Sequence, residues 1–110
     1  MNRDYVEKRL LEIGIPASRK GFRYIADAIM LLLSPDWECD KITAIYHKLA
    51  SIHKTSPCNV EHGIRGAFQA ARNEYPEASD KYLGSYYTNN KNTLFHLIKQ
   101  LSFEEGGAAA

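Results

Sequence analysis

Residues 56–76 read "SPCNVEHGIRGAFQAARNEYP", and the fold follows from how this stretch divides into two sides. Ser56 is a preferred N-cap and Pro57 suits the first helical position, so a helix starts here. Val60, Ile64, Ala67, Phe68 and Ala71 recur at helical spacing and form a stripe for burial, and Pro76 closes the run. At about 100° per residue, Cys58, His62, Gly66, Gln69 and Asn73 fall on the opposite side, flanked by Asn59 and Arg65. That side is rich in hydrogen-bonding groups and poor in carboxylates. Gly63 and Gly66 each cost up to about 1 kcal/mol against alanine within a helix. A close neighbour, either another helix or a groove wall, would account for them.

Immediately upstream, "HKTS" at 53–56 is a short turn. Before it, Asp40 is placed to cap a helix whose apolar face is Ile42, Ile45, Leu49 and Ile52. Two helices joined by so short a turn, the second well capped, form a candidate helix-turn-helix, in which the second helix lies in the DNA major groove. The residue types fit that task. Arg65 can donate two parallel bonds to guanine, Gln69 or Asn59 can pair with adenine, and Glu61 can accept from cytosine or orient Arg65. A solvated helix face satisfies the same pattern, so periodicity alone does not decide between them.

The rest of the chain is helical as well. Asn2 or Asp4 can cap a first helix bearing Val6, Leu10, Leu11 and Ile13, with Gly14 as its stop and Pro16 beyond. A second helix over 18–33 carries Phe22, Ile25, Ile29 and Leu32. Its added Met30, Leu31 and Leu33 suggest a central position. A short helix over 77–83 is expected, then a loop over 84–92, then a last helix capped by Asn92 and carrying Leu94, Leu97, Ile98 and Leu101. No period-two alternation or hairpin dipeptide occurs. The fold class is all-α, a compact bundle of about six helices containing a helix-turn-helix. The end "EEGGAAA" (104–110) lacks an apolar pattern and reads as unstructured, a natural end or a cloning scar; the expected bounds are a domain over residues 1–105 and a tail over 106–110.

The 110 residues are 45% hydrophobic and 25% charged, with a net charge of +1, a globular composition. The apolar run "AIMLLL" at 28–33 falls well short of the roughly 20 residues a membrane span needs. The charged N-terminus is no secretory signal. These features point to a cytoplasmic location and away from a membrane partner. Residues 41–72 hold five basic residues and one acid, a local +4, while the remainder is −3. The basic charge thus concentrates around the two helices of interest.

No phosphate loop, nucleophile elbow or paired-carboxylate motif occurs, so no catalytic residue, no small-molecule substrate and no cofactor is expected. His47, His53, Cys58 and His62 cluster in sequence, but their spacing matches no zinc pattern, and no metal is expected. Cys39 and Cys58 are too few for a disulfide scaffold. Cys58 near a helix start has a somewhat stabilised thiolate, which suggests a redox role. A small residue fitting beside DNA explains it more simply.

The chain resembles the C-terminal effector domain of the stage-zero sporulation protein A family, response regulators of sporulation initiation. The resemblance is carried by "IGIPASRKGFRYIADAI" at 13–29, with Ile13-Gly14-Ile15-Pro16, Lys20-Gly21-Phe22, Tyr24-Ile25 and Ala28-Ile29. It continues through Lys41-Ile42-Thr43, Val60-Glu61, Ile64-Arg65, Ala67 and "NNKNTLFHLI" at 89–98, and covers about nine-tenths of the chain. It implies an all-helical domain of about six helices that binds double-stranded DNA through the helix-turn-helix and regulates transcription, as a homodimer where sites lie in tandem.

Glu61 and Arg65 match recognition-helix positions of that family. Asn59 and His62 stand where it commonly has arginine, and Gly66 where it has histidine. The target box is therefore not expected to carry over. The expected base contacts are Asn59, Glu61, His62, Arg65 and Gln69; the expected phosphate contacts are Lys54, Thr55, Ser56 and Lys91. The family's receiver domain has no room in 110 residues. An excised domain and a free-standing one both fit, and the capped helix beginning near Met1 favours the latter. Regulation would then come from expression level, a partner or dimerisation. The rival to DNA binding is a non-catalytic protein-interaction module on the same fold. Low net charge, the two absent arginines and the aromatics Trp37, Tyr82, Tyr86 and Tyr87 point towards it, although such aromatics also complete cores.

Overall fold

A computed structural model of the chain describes residues 1–39, 41–85 and 89–109. Among these, six helices occur and no strand: α1 (Arg3–Ile13), α2 (Lys20–Leu33), α3 (Ile42–His53), α4 (Pro57–Glu74), α5 (Pro76–Leu83) and α6 (Asn90–Ala109). All six contribute to one apolar core, from Val6 and Leu10 of α1 to Leu94, Leu97 and Leu101 of α6. The all-α expectation holds. α2 is central, packing on α1, α3, α4 and α6.

Local chemistry sets the boundaries. The Asn2 side chain accepts the Tyr5 amide at 2.8 Å and starts α1. Gly14 ends it at φ +102°. The Gly14 amide donates to the Leu11 carbonyl at 3.1 Å and the Ile15 amide to the Leu10 carbonyl at 3.0 Å, with Leu10 and Ile15 both buried. This is the glycine-terminated reversal that satisfies the last carbonyls of a helix.

Several expectations are corrected. α2 begins at Lys20, with Arg19 as N-cap, rather than at Ser18. α3 has Lys41 as its N-cap, without a side-chain bond; Asp40, expected in that place, lies outside the described residues. The buried face of α3 is Ile45, Tyr46, Leu49 and Ala50, whereas Ile52 is 54% exposed. The helix is rotated towards α4 and places Tyr46, not Ile52, in the core. Leu11 of α1 is likewise exposed.

α6 starts two residues before Asn92. The Asn89 side chain accepts the Asn92 amide at 2.9 Å and so performs the capping expected of Asn92. At the other end, Glu104 and Glu105, read from sequence as the start of a loose tail, are helical. Glu104 pairs with Arg9 and Lys81, and Glu105 with the N-terminal amine. The helix runs to Ala109. Tyr82 sits in that cluster, accepting from Arg9 and donating to Glu104, each at 2.5 Å. Tyr86 and Tyr87 lie outside the described residues.

α2 and α4 cross where neither has a side chain. A Cβ added at Gly21 would fall 2.1 Å from the Gly63 carbonyl oxygen, and one at Gly63 would fall 2.9 Å from the Tyr24 ring. Gly63 is therefore explained by a neighbouring helix. Gly66 is not, since a Cβ there would meet only Arg19 Nη1, at an ordinary 3.5 Å.

Candidate nucleic-acid interface

The turn between α3 and α4 is tight because Lys54 adopts the left-handed conformation (φ 53°, ψ 51°), which β-carbon-bearing residues rarely take. The Thr55 amide then reaches back to the Ala50 carbonyl at 3.0 Å. Ser56 Oγ accepts the Asn59 amide at 3.1 Å, and Pro57 occupies the first helical position. The N-terminus of α4 is thus capped on the protein side. Val60, Ile64, Ala67, Phe68 and Ala71 are all buried, so the stripe read from the sequence is the packed face.

The opposite face is a chain of local contacts. Asn59 Nδ2 donates to Thr55 Oγ1 at 3.0 Å. The Arg65 guanidinium pairs with Glu61 one turn earlier, and His62 Nε2 lies 3.3 Å from the same carboxylate. Cys58 Sγ approaches the His62 ring at 3.7 Å, and Gln69 Nε2 reaches Asn73 Oδ1 at 3.5 Å. The side chains of Arg65 and His62 are 59% and 60% exposed, and that of Glu61 23%. Glu61 is thus the held partner, with two exposed cationic or ambivalent groups in front of it. Such exposed pairs contribute little to stability, so their bonds can be exchanged for others at small cost.

The structure also brings α6 to this face. Ile42, Tyr46, Glu61 and Arg65 line an open pocket with Asn89, Asn90, Lys91 and Asn92. Lys91 thus lines the same pocket as Arg65. Asn90, 6% exposed, fixes this placement: its Nδ2 donates to Tyr46 Oη at 3.0 Å and to the Glu61 carbonyl at 3.1 Å. Burial raises the Tyr46 hydroxyl above its ordinary pKa, outweighing the opposing effect of the Asn90 bond, and the phenol stays neutral. Sequence reasoning missed both residues. The one available signal was the "NNKN" cluster, read instead as loop. Lys54, Ser56 and Lys91 are exposed and Thr55 is half-buried. Arg72, one of the basic residues counted in the 41–72 segment, is turned inward to Thr93 Oγ1 at 3.0 Å, and burial lowers its pKa.

Among the described residues no group of three or more His, Cys, Asp or Glu is arranged to hold a metal ion. No helix there is long and apolar enough to cross a membrane.

Against known families, residues 6–102 match the model described as sporulation initiation factor Spo0A C terminal. The chain belongs to that family. Members of the Spo0A C-terminal family are DNA-binding effector domains of a response regulator, acting in transcription regulation during sporulation. The match spans all of α1 to α5 except the first turn of α1, and most of α6, so the α3–α4 pair and the α6 start fall inside it. No solved structure gave a significant match.

Proposed function

We propose that this chain is a sequence-specific reader of double-stranded DNA and a transcription regulator, with α4 as the helix that enters the major groove. The observation that carries the reading is the outward face of α4, where Arg65 and His62 stand exposed around a held Glu61, directly after a capped three-residue turn. Arg65 makes the principal base contact, with the geometry for guanine O6 and N7. His62, Asn59 and Gln69 contribute further base contacts, and Glu61 orients Arg65 or accepts from cytosine. Asn59 must first leave Thr55 and Gln69 must leave Asn73, exchanges that cost little on an exposed face. Lys54, Thr55, Ser56 and Lys91 contact phosphates. The reading needs no catalysis, cofactor or small molecule. It places the protein in the cytoplasm with DNA, and as a homodimer where two sites lie in tandem.

Selection from a randomised duplex library at about 150 mM salt, near physiological ionic strength, tests this. The expected result is an enriched motif that Arg65→Ala loses. Salt-sensitive binding without a motif would leave only a phosphate-dominated mode. No binding would overturn the reading in favour of an interaction module.

A further inference from the structure

The first turn of α2 meets the α3–α4 turn in a pocket of about 240 Å3, lined by Lys20, Arg23, Tyr24, His53, Lys54 and Thr55. Three of these six are cations and none is a carboxylate. Lys20, Arg23 and Lys54 are exposed and take part in none of the ion pairs among the described residues. The acid one turn beyond Arg23 is Asp27, and it is already engaged: it pairs with Arg3 and lies 2.5 Å from His53 Nε2. His53 in turn stands edge-on to the Tyr24 ring at 5.0 Å between centroids. Both rings belong to the lining of the pocket, and none of its three cations has an ion-pair partner among the described residues. Thr55 Oγ1, accepting from Asn59, keeps its proton to donate.

The position of the pocket relative to α4 is fixed by the glycine crossing. At about 100° per residue, Glu61 and Gly63 fall on opposite flanks of His62. The Glu61 flank faces Asn90 and Lys91 of α6. The Gly63 flank faces Gly21 and Tyr24 of α2. Cations therefore stand on both sides of the reading face, and only the α6 side and the turn were legible in the sequence.

We propose that this α2-side pocket is a site for a DNA backbone phosphodiester, held by Lys20 and Arg23 together with Lys54 and the Thr55 hydroxyl, across the groove from Lys91. The proposal rests on the DNA reading above and adds two phosphate-binding residues from a helix outside the helix-turn-helix. Such contacts set register and affinity and carry no base information. A pocket of this size has room for one phosphodiester with several waters at about 30 Å3 each.

The test compares wild type, the double variant Lys20→Gln/Arg23→Gln, the charge-preserving Lys20→Arg/Arg23→Lys, and Lys8→Gln on α1. Binding to one duplex carrying the enriched motif and one scrambled duplex is measured from 50 to 200 mM salt. The slope of log affinity against log salt is expected to shrink by about 2 in the double variant, so that wild type loses about fifteenfold more affinity over that range. Affinity falls equally on both duplexes, the charge-preserving variant retains the wild-type slope, and so does Lys8→Gln. Thermal melts confirm that the variants are folded. An unchanged slope in the double variant, with wild-type binding intact, overturns the pocket alone. A loss confined to the motif duplex also overturns it, because a phosphate contact is indifferent to sequence. Absence of wild-type binding overturns the DNA reading and this proposal together.

Discussion

Gly21→Ala adds a single methyl group to the protein, yet its effect can be worked out from the helix crossing. The new Cβ would lie 2.1 Å from the Gly63 carbonyl oxygen, 2.7 Å from Ala67 Cβ and 2.9 Å from the Gly63 carbonyl carbon. Ordinary contacts between carbons are about 3.5–4.0 Å, and the obstacle is backbone that cannot rotate away. α2 and α4 must separate by about 1 Å or more, or tilt, and either opens the core around Ile25, Ile64 and Phe68. Overpacking of this kind costs typically about 1–3 kcal/mol and more where backbone resists. Helix propensity returns at most about 1 kcal/mol. Because the clash is with backbone, the cost lies at the top of that range or above it, and the net is a destabilisation of about 2 kcal/mol or more, which for a domain near this size lowers Tm by roughly 10 °C or more. Gly66→Ala is the matched control. It makes the same chemical change on α4 where a Cβ meets only Arg19 Nη1 at 3.5 Å, so propensity governs and stability rises by up to about 1 kcal/mol. Thermal melts followed by far-UV circular dichroism report both. A Gly21→Ala protein melting at or above wild type would refute the close crossing and, with it, the placement of α2 beside the reading face.

Three further outcomes follow from particular contacts. Lys54→Gly relieves a left-handed conformation and should raise stability by about 0.5–1 kcal/mol after the entropy of the added glycine, while shrinking the salt slope of DNA binding by about 1; opposite signs in melting and binding distinguish the two effects. Asn90→Ala leaves Tyr46 Oη without its donor in a buried site and should cost about 1–3 kcal/mol, with a drop in DNA affinity as α6 loosens from Glu61; unchanged melting would contradict the tie. For Glu104, burial alone would raise the pKa, but bonds from Tyr82 and Lys81 and the charge of Arg9 outweigh it, and the folded-state value lies below the ordinary carboxylate one. Its contribution is therefore present above the unfolded-state pKa and is lost as pH falls through the folded-state value. Glu104→Gln should flatten the acid limb of a stability–pH curve below about pH 4.5, and an unaltered limb would contradict that assignment.

What the sequence disclosed and what it hid have separate physical origins. α4 was legible in full because its cap, its proline and its five buried positions all express local rules of helix geometry. The Gly14 stop was legible for the same reason. The rotation of α3 was hidden, since Ile52 and Tyr46 are both apolar enough for burial and only packing against α4 and Asn90 decides between them. The start of α6 was misplaced by two residues because all three asparagines of "NNKN" (89–92) suit a cap, and the one that bonds the Asn92 amide is Asn89. The helical Glu104 and Glu105 depend on Arg9, Lys81 and the chain's own amine, partners distant in sequence. Lys20 and Arg23 stood inside the quoted signature at 13–29. Their proximity to Lys54 exists only because two glycines let α2 and α4 touch.

The central claim is that Arg65 reads a base, and it is tested most directly by discrimination rather than by affinity. Wild type and Arg65→Ala would be titrated against the selected duplex and a set of duplexes altered one base pair at a time. The account predicts that wild type loses about 1–3 kcal/mol at a particular guanine, and that Arg65→Ala binds that altered duplex and the original alike while still discriminating elsewhere. A variant that weakens every duplex equally, or that keeps the full preference, would contradict it.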